Sequence, residues 1–211
     1  MTKLFYPVII CLTLLFGGCS SVQTQKKTMP DTAAMKDEFT RSYLTSSKEV
    51  EKGFYRFKSK TGGYTMLFPV DAVISDGFGN EIHGDYYEAI IYGAERDDAP
   101  IMVDSTYENK NITKNTEVNL DLLSSTIGYE GNYQEMKDTK LAIYFAQNSF
   151  DVQDTISFNY FAYIKSQHST QAIQFIYGVS CQKADKKCLS ATHTFETTAM
   201  KIIKSVNFIH K

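Results

Sequence analysis

The stretch TISFNYFAYIKS, residues 155–166, limits the possible folds more than any other part of this 211-residue chain. Ile156, Phe158, Tyr160, Ala162 and Ile164 form one apolar face, and Phe161 and Tyr163 make part of the opposite face apolar too. A strand with one face in water alternates apolar and polar residues, whereas a strand covered on both sides does not. The chain must therefore supply neighbouring strands and a covering layer on each side of this one.

The rest of the sequence supplies them. GFYRFKS, from Gly53, carries Phe54, Tyr55 and Phe57 on both faces, and Gly62-Gly63 turns it into GGYTMLFP, where Tyr64, Met66 and Phe68 share a face and Pro69 ends the strand. YYEAIIYGAE follows, with Ile90 and Tyr92 on one side and Ala89 and Ile91 on the other, and then PIMVDSTYE, with Ile101 and Val103 inward. A helix comes next, capped by Asn115 or Thr116, with Val118, Leu122 and Leu123 at helical spacing and Gly128 at its end. KLAIYFAQ, TISFNYFAYIKS and QAIQFIYGVSC are three further strands. Phe195, Ala199, Ile202, Ile203 and Val206 then form the apolar stripe of a closing helix, with Ser190 as its expected cap. The order ββββ-α-βββ-α, about seven strands joined largely by short turns, predicts an α+β fold: a mainly antiparallel sheet with packed helices.

The four cysteines divide by position. Cys11 and Cys19 belong to the N-terminal segment, where Lys3 precedes an apolar run from Leu4 to Phe16 that is shorter than the roughly 20 residues needed to span a bilayer. A basic start, an apolar centre and small residues at the end describe a secretory signal, here residues 1–18. Gly17, Gly18 and Cys19 resemble the lipobox of bacterial lipoproteins, with cleavage between Gly18 and Cys19 and a diacylglycerol, and so fatty acyl chains such as palmitate, on the Cys19 thiol. Phe16 departs from the Leu most common at that position. The alternative is an ordinary cleaved signal with a stray cysteine. The polar segment SSVQTQKKTMPDTAAMKDEFT then reads as a flexible tether, residues 19–49 in all, with one globular domain over 50–211; Met35 to Tyr43 could form a short helix within the tether but has few apolar positions.

Cys181 and Cys188 remain in the domain, and an even pair in an exported protein predicts a disulfide across CQKADKKC. Two cysteines with His193 do not complete a metal site. The formal net charge of −2 becomes −3 without residues 1–18, and no basic stripe is present, which argues against a nucleic-acid partner.

No motif for nucleophilic catalysis or phosphate cradling occurs, and none implies a cofactor. The nearest to a site is DGFGNEIHGD, where Asp76, Asn80, Glu81 and Asp85 offer oxygen ligands for a cation such as calcium, against the plainer reading of a glycine-rich hairpin loop. His83 with Asp85 is a conceivable acid–base pair that lacks a visible nucleophile. Tyr160, Phe161, Tyr163, Phe175 and Tyr177 either pack the core or line a cavity for an apolar ligand.

The phrase GFYRFKSKTGGYTMLFP, the Cys181–Cys188 loop and the closing AMKIIKSVNFI resemble the YvcA-like lipoproteins of Bacillus and its relatives, from the lipobox to the C-terminus. The strand-rich order with a closing helix is also similar to the Mog1/PsbP-like sandwich. Neither group supplies catalytic residues to carry over. The expectation is a non-enzymatic, lipid-anchored protein on the extracytoplasmic face of a bacterial membrane, engaging an envelope protein or polymer. The alternative is a lipoprotein that binds a small apolar or aromatic ligand.

Overall fold

The computed structural model describes residues 29–96 and 99–210. Eleven strands build two antiparallel sheets among these residues. The larger has eight: β3 (Val73–Ile74), β4 (Glu81–His83), β5 (Tyr87–Ala94), β6 (Ile101–Asn109), β7 (Gln134–Lys137), β8 (Leu141–Val152), β9 (Thr155–Ser166) and β10 (Gln171–Gln182). They lie in the order β3-β5-β6-β10-β9-β8-β7, with β4 on the same edge of β5 as β3. β1 (Phe54–Lys58), β2 (Tyr64–Pro69) and β11 (Asn207–Phe208) form the smaller sheet, with β2 in the middle. The strands read from sequence are all present. Those not anticipated are the short β3, β4, β7 and β11, where two to four residues give alternation too little length to register.

One face of the large sheet carries the main core. Glu88, Ile90, Tyr92 and Ala94 of β5 point into it, as do Val103 and Tyr107 of β6, Ile173, Phe175 and Tyr177 of β10, and Ile164 and Ala162 of β9. The small sheet and helix α5 (Thr192–Lys204) cover this face. Rings bridge the layers: Tyr64 stacks on Tyr107 with centroids 5.2 Å apart, and Phe68 meets Tyr92 at 4.8 Å. Such pairs add about 1 kcal/mol each beyond the area they bury.

The opposite face is covered by helix α3 (Thr116–Ile127), which packs on β9. A second, smaller core of Leu123, Ala146, Phe161, Tyr163 and Ala172 lies beneath it. This is the double coverage that the β9 sequence demands. Asn115 caps α3, its Oδ1 accepting from Val118 N at 3.2 Å, and Gly128 ends it in the left-handed region with φ 63°. The buried side differs from the stripe expected. Leu123 and Asn119 are covered while Val118 and Leu122, one turn apart on the next side of the helix, face outward. Asn119 is satisfied there by donating to Ile112 O and Asn115 O.

Two boundaries move. The segment expected to be tether is folded from Thr32 onward, as helices α1 (Ala33–Lys36) and α2 (Glu38–Arg41). Ala34, Met35, Thr40 and Tyr43 are buried, and Ala34 N donates to Val70 O. Four-residue helices leave no periodic stripe, so their apolar anchors look isolated in the sequence. Nor does Ser190 cap the closing helix. A separate turn, α4 (Lys186–Ser190), precedes α5 and is capped by Asp185, while Ala191 stands at the α5 start without a side-chain cap. At the C-terminus, β11 pairs with β2, Ile209 N donates to Gly63 O, and Leu67 N donates to Ser205 Oγ.

Candidate functional site

The Gly17-Gly18-Cys19 motif lies outside the described residues. Residues 20–28 separate Cys19 in sequence from Met29, where the description begins. The chain joins the fold beside a groove of about 430 Å³ where Ala33 meets Val73, Gly93, Ala94 and Met102. That groove is at the β5–β6 turn end of the large sheet.

Cys181 and Cys188 are paired, with Cα atoms 5.6 Å apart, so the polar loop between them is stapled to the end of β10. Both sulfur-bearing residues are buried in the main core.

The cation candidates are not gathered. Asn80 Nδ2 donates to Ser75 O, and Glu81 turns to His83, whose Nε2 lies 2.6 Å from the carboxylate. Among the described residues no group of three His, Cys, Asp or Glu side chains converges on a point that could hold a metal ion. The His83–Asp85 pairing gives way to His83–Glu81, because residues two apart on a strand project from the same face, whereas Asp85 falls in the following turn. Both members of that pair are about half exposed, at 51% and 58%, and the aromatic neighbour of the imidazole is Tyr87.

The aromatic candidates sit on opposite faces of the sheet. Tyr160, Phe175 and Tyr177 belong to the main core, and Phe161 and Tyr163 to the smaller one. Burial pushes the Tyr160 and Tyr177 phenols up to about 12 and raises Tyr163 further, so none of them ionises near neutral pH. Tyr160 instead donates to Thr192 O and Tyr163 to Thr113 O.

Two features escaped sequence reading. Glu88 is fully buried, and its carboxylate accepts from Lys60 N at 3.0 Å and from Thr61 N and Oγ1 at 3.4 Å. It ties the β1–β2 turn to β5. Burial raises its pKa, and these hydrogen bonds oppose the rise. The alternation of β5 held the signal, since Glu88 shares a face with Ile90 and Tyr92. The second feature is a polar, concave end around the β9–β10 turn. One groove of about 640 Å³ there is lined by Lys114, Lys137, Lys165 and His168, and another of the same size by Lys140, Lys204 and His168. These five lysines come from four separate stretches of chain, and only the topology brings them to one end.

The fold is thus an α+β sandwich with a stapled loop and open polar grooves. The chain belongs to the family described as "Putative lipoprotein YvcA", whose model matches residues 30–207 and whose designation also carries the Mog1 name. A curated relative of that description from Bacillus subtilis (strain 168) is 27% identical over 237 aligned positions, covering 99% of this chain and 98% of the relative. Two solved structures align more loosely. A crystal structure from Bacteroides thetaiotaomicron VPI-5482 is 13% identical with a TM-score of 0.42, over 74% of this chain and 48% of that one, so this chain spans about half its length. LpqN, described as involved in cell envelope biogenesis of Mycobacterium tuberculosis, is 12% identical with a TM-score of 0.37, over 74% of this chain and 90% of that one. Neither structural likeness bears on function.

Proposed function

We propose that this protein is anchored through a lipid on Cys19 to the extracytoplasmic face of a bacterial membrane, and that its domain acts by binding a component of the cell envelope, without catalysis. The observation that carries the anchor is the Gly17-Gly18-Cys19 motif at the end of a short apolar leader, in a chain whose family is described as lipoproteins. No helix among the described residues is long and apolar enough to cross a membrane. Two acyl chains hold far better than one at roughly 0.8 kcal/mol per buried methylene. Supporting the binding role, the only histidine–carboxylate pair among the described ion pairs is solvated, and its hydrogen-bonded neighbours include no hydroxyl or thiol nucleophile.

The folded N-terminus shortens the lever. The described fold has its first helix cap at Thr32, 13 positions after Cys19, and a stretch of that length reaches at most about 45 Å even fully extended. The domain therefore works close to the bilayer. Mass spectrometry of the purified mature protein tests this: a diacylglycerol-modified Cys19 at the N-terminus is expected, and the Cys19→Ala form should leave the membrane fraction. An unmodified N-terminus elsewhere, with unchanged fractionation of the variant, overturns the anchor.

A further inference from the structure

We propose that the lysine-ringed end of the sandwich, centred on the β9–β10 turn, is a binding site for an anionic chain with repeated phosphate or carboxylate charges. The inference rests on the binding role above and names the chemistry of its partner.

The two grooves meet at Ser166 and His168, which line both. The first presents Lys114, Lys137 and Lys165, and no carboxylate is among its lining residues. The second adds Lys140 and Lys204. Five ammonium groups are collected here in a protein whose formal net charge is −2, so positive charge is concentrated at one end.

The local acids offset only part of that charge. Glu135 pairs with Lys137 and also reaches Tyr144, and Asp138, which lines the second groove, accepts from Lys140 N and Leu141 N. Lys114, Lys140 and Lys204 make no ion pair among the described residues. Lys165 is half-buried, and its ammonium donates only to the neutral oxygens Lys114 O at 3.3 Å and Thr116 Oγ1 at 3.1 Å. Burial and the like charge of Lys137 both lower its pKa. Holding five ammonium groups at one end against fewer carboxylates is unfavourable in the free protein, and an incoming anion relieves it.

Shape and position select the ligand. The lysines are divided between two grooves that share only Ser166 and His168, so several linked charges are needed to engage them all. Lysine offers a point charge suited to phosphate and carboxylate oxygens. Register argues against the bilayer as the source. Gln171 of β10 pairs with Asn109 at this end of β6, whereas Ala94 and Val179 pair with Ile101 at the other, near which Ala33 joins the fold. Eight strand steps, about 26 Å, separate the two ends. The lysines thus lie at the end of the sheet opposite the one where the described chain enters it.

The test is fluorescence-monitored titration of the mature lipoprotein, in neutral detergent, with long-chain inorganic polyphosphate, poly-glutamate and inorganic phosphate. The site predicts salt-sensitive binding of at least one polymer, at least about tenfold tighter per charge than inorganic phosphate. Lys114→Gln with Lys137→Gln should weaken it about tenfold, and adding Lys165→Gln should weaken it further. The exposed set Lys48→Gln, Lys52→Gln and Lys58→Gln should change it less than about twofold. The double variant leaves the half-buried Lys165 in place, so its fold is intact, which a thermal melt checks. No polymer binding, or equal loss in both lysine sets, overturns the proposal. So does a lysine-dependent gain on anionic over neutral vesicles with no polymer binding, which would make the site a headgroup contact. The lipid on Cys19 is read separately by mass, so the anchor and the site fail independently.

Discussion

The two faces of the large sheet are built from the same strands and differ in almost everything else. On the inner face the small sheet and α5 seal a continuous aromatic core, and Glu88, the one buried carboxylate among the described residues, is met by three donors. On the outer face α3 covers Phe161 and Tyr163 of β9 but leaves Met102 of β6 61% exposed. Asp104 stands half-buried on that face between Ile91 and Ile176, its cross-strand neighbours, with no hydrogen-bond or ion-pair partner among the described residues. Burial alone raises its pKa. The lesson is that a sheet's second face is apolar only where something covers it, and β9 records the position of α3 in its own sequence.

Substitutions can weigh the two faces against each other. Phe175→Ala, in the centre of the inner core, should cost about 4 kcal/mol and unfold the whole domain in one step of a urea titration. Leu123→Ala on the outer side should cost about 2 kcal/mol, near the low end for a buried leucine because α3 can settle onto β9. Hydrogen exchange should then show α3 amides opening well before those of β9 and β10; equal loss of protection everywhere would mean that the two cores are one unit. Asn115→Ala removes the α3 cap and should cost about 1 kcal/mol with the same local signature.

The smallest effect concerns the two carboxylates. Each has a raised folded-state pKa, so the stability linked to its neutral form is present below the unfolded value and is lost as pH rises through the folded one. Asp104→Asn has no partner to lose, so it should stabilise the protein at pH 7 and flatten the stability profile between the usual carboxylate range and neutrality. Glu88→Gln should flatten the profile too but gain less, since an amide cannot accept from all three donors. Parallel denaturation curves at pH 4, 5.5 and 7 check the pair; a wild type that loses stability on acidification from pH 7 to 5.5, by an amount these variants abolish, would reverse the sign.

Much of the fold is legible without coordinates because its long strands are either cleanly alternating, as in Tyr87–Ala94, or apolar on both sides, as in Thr155–Ser166. Cys181 and Cys188 are legible from their number and spacing. The folded residues 32–44 are not, because Ala34, Met35 and Tyr43 reach the core from two single-turn helices embedded in polar sequence. The lysine end is illegible for another reason. Lys114 and Lys204 are 90 positions apart, and they come to line adjoining grooves only when the chain segments at one end of the sheet assemble.

The pairing of β11 with β2 sets an order of events. β2 is the middle strand of its sheet, and residues 205–209 complete its far edge by pairing at Tyr64 and Thr65 and by the contacts at Gly63 and Leu67. Gln171 Nε2 fastens the same corner by donating to Gly63 O and Ile209 O. A chain delivered N-terminus first thus presents β2 with one side unpaired until residues 205–209 emerge, and closing that side joins Phe208 to Tyr64, a slow kind of contact. An early part of the domain is therefore finished late, and a nascent chain stalled before Asn207 would expose a bare strand edge open to pairing with a neighbour.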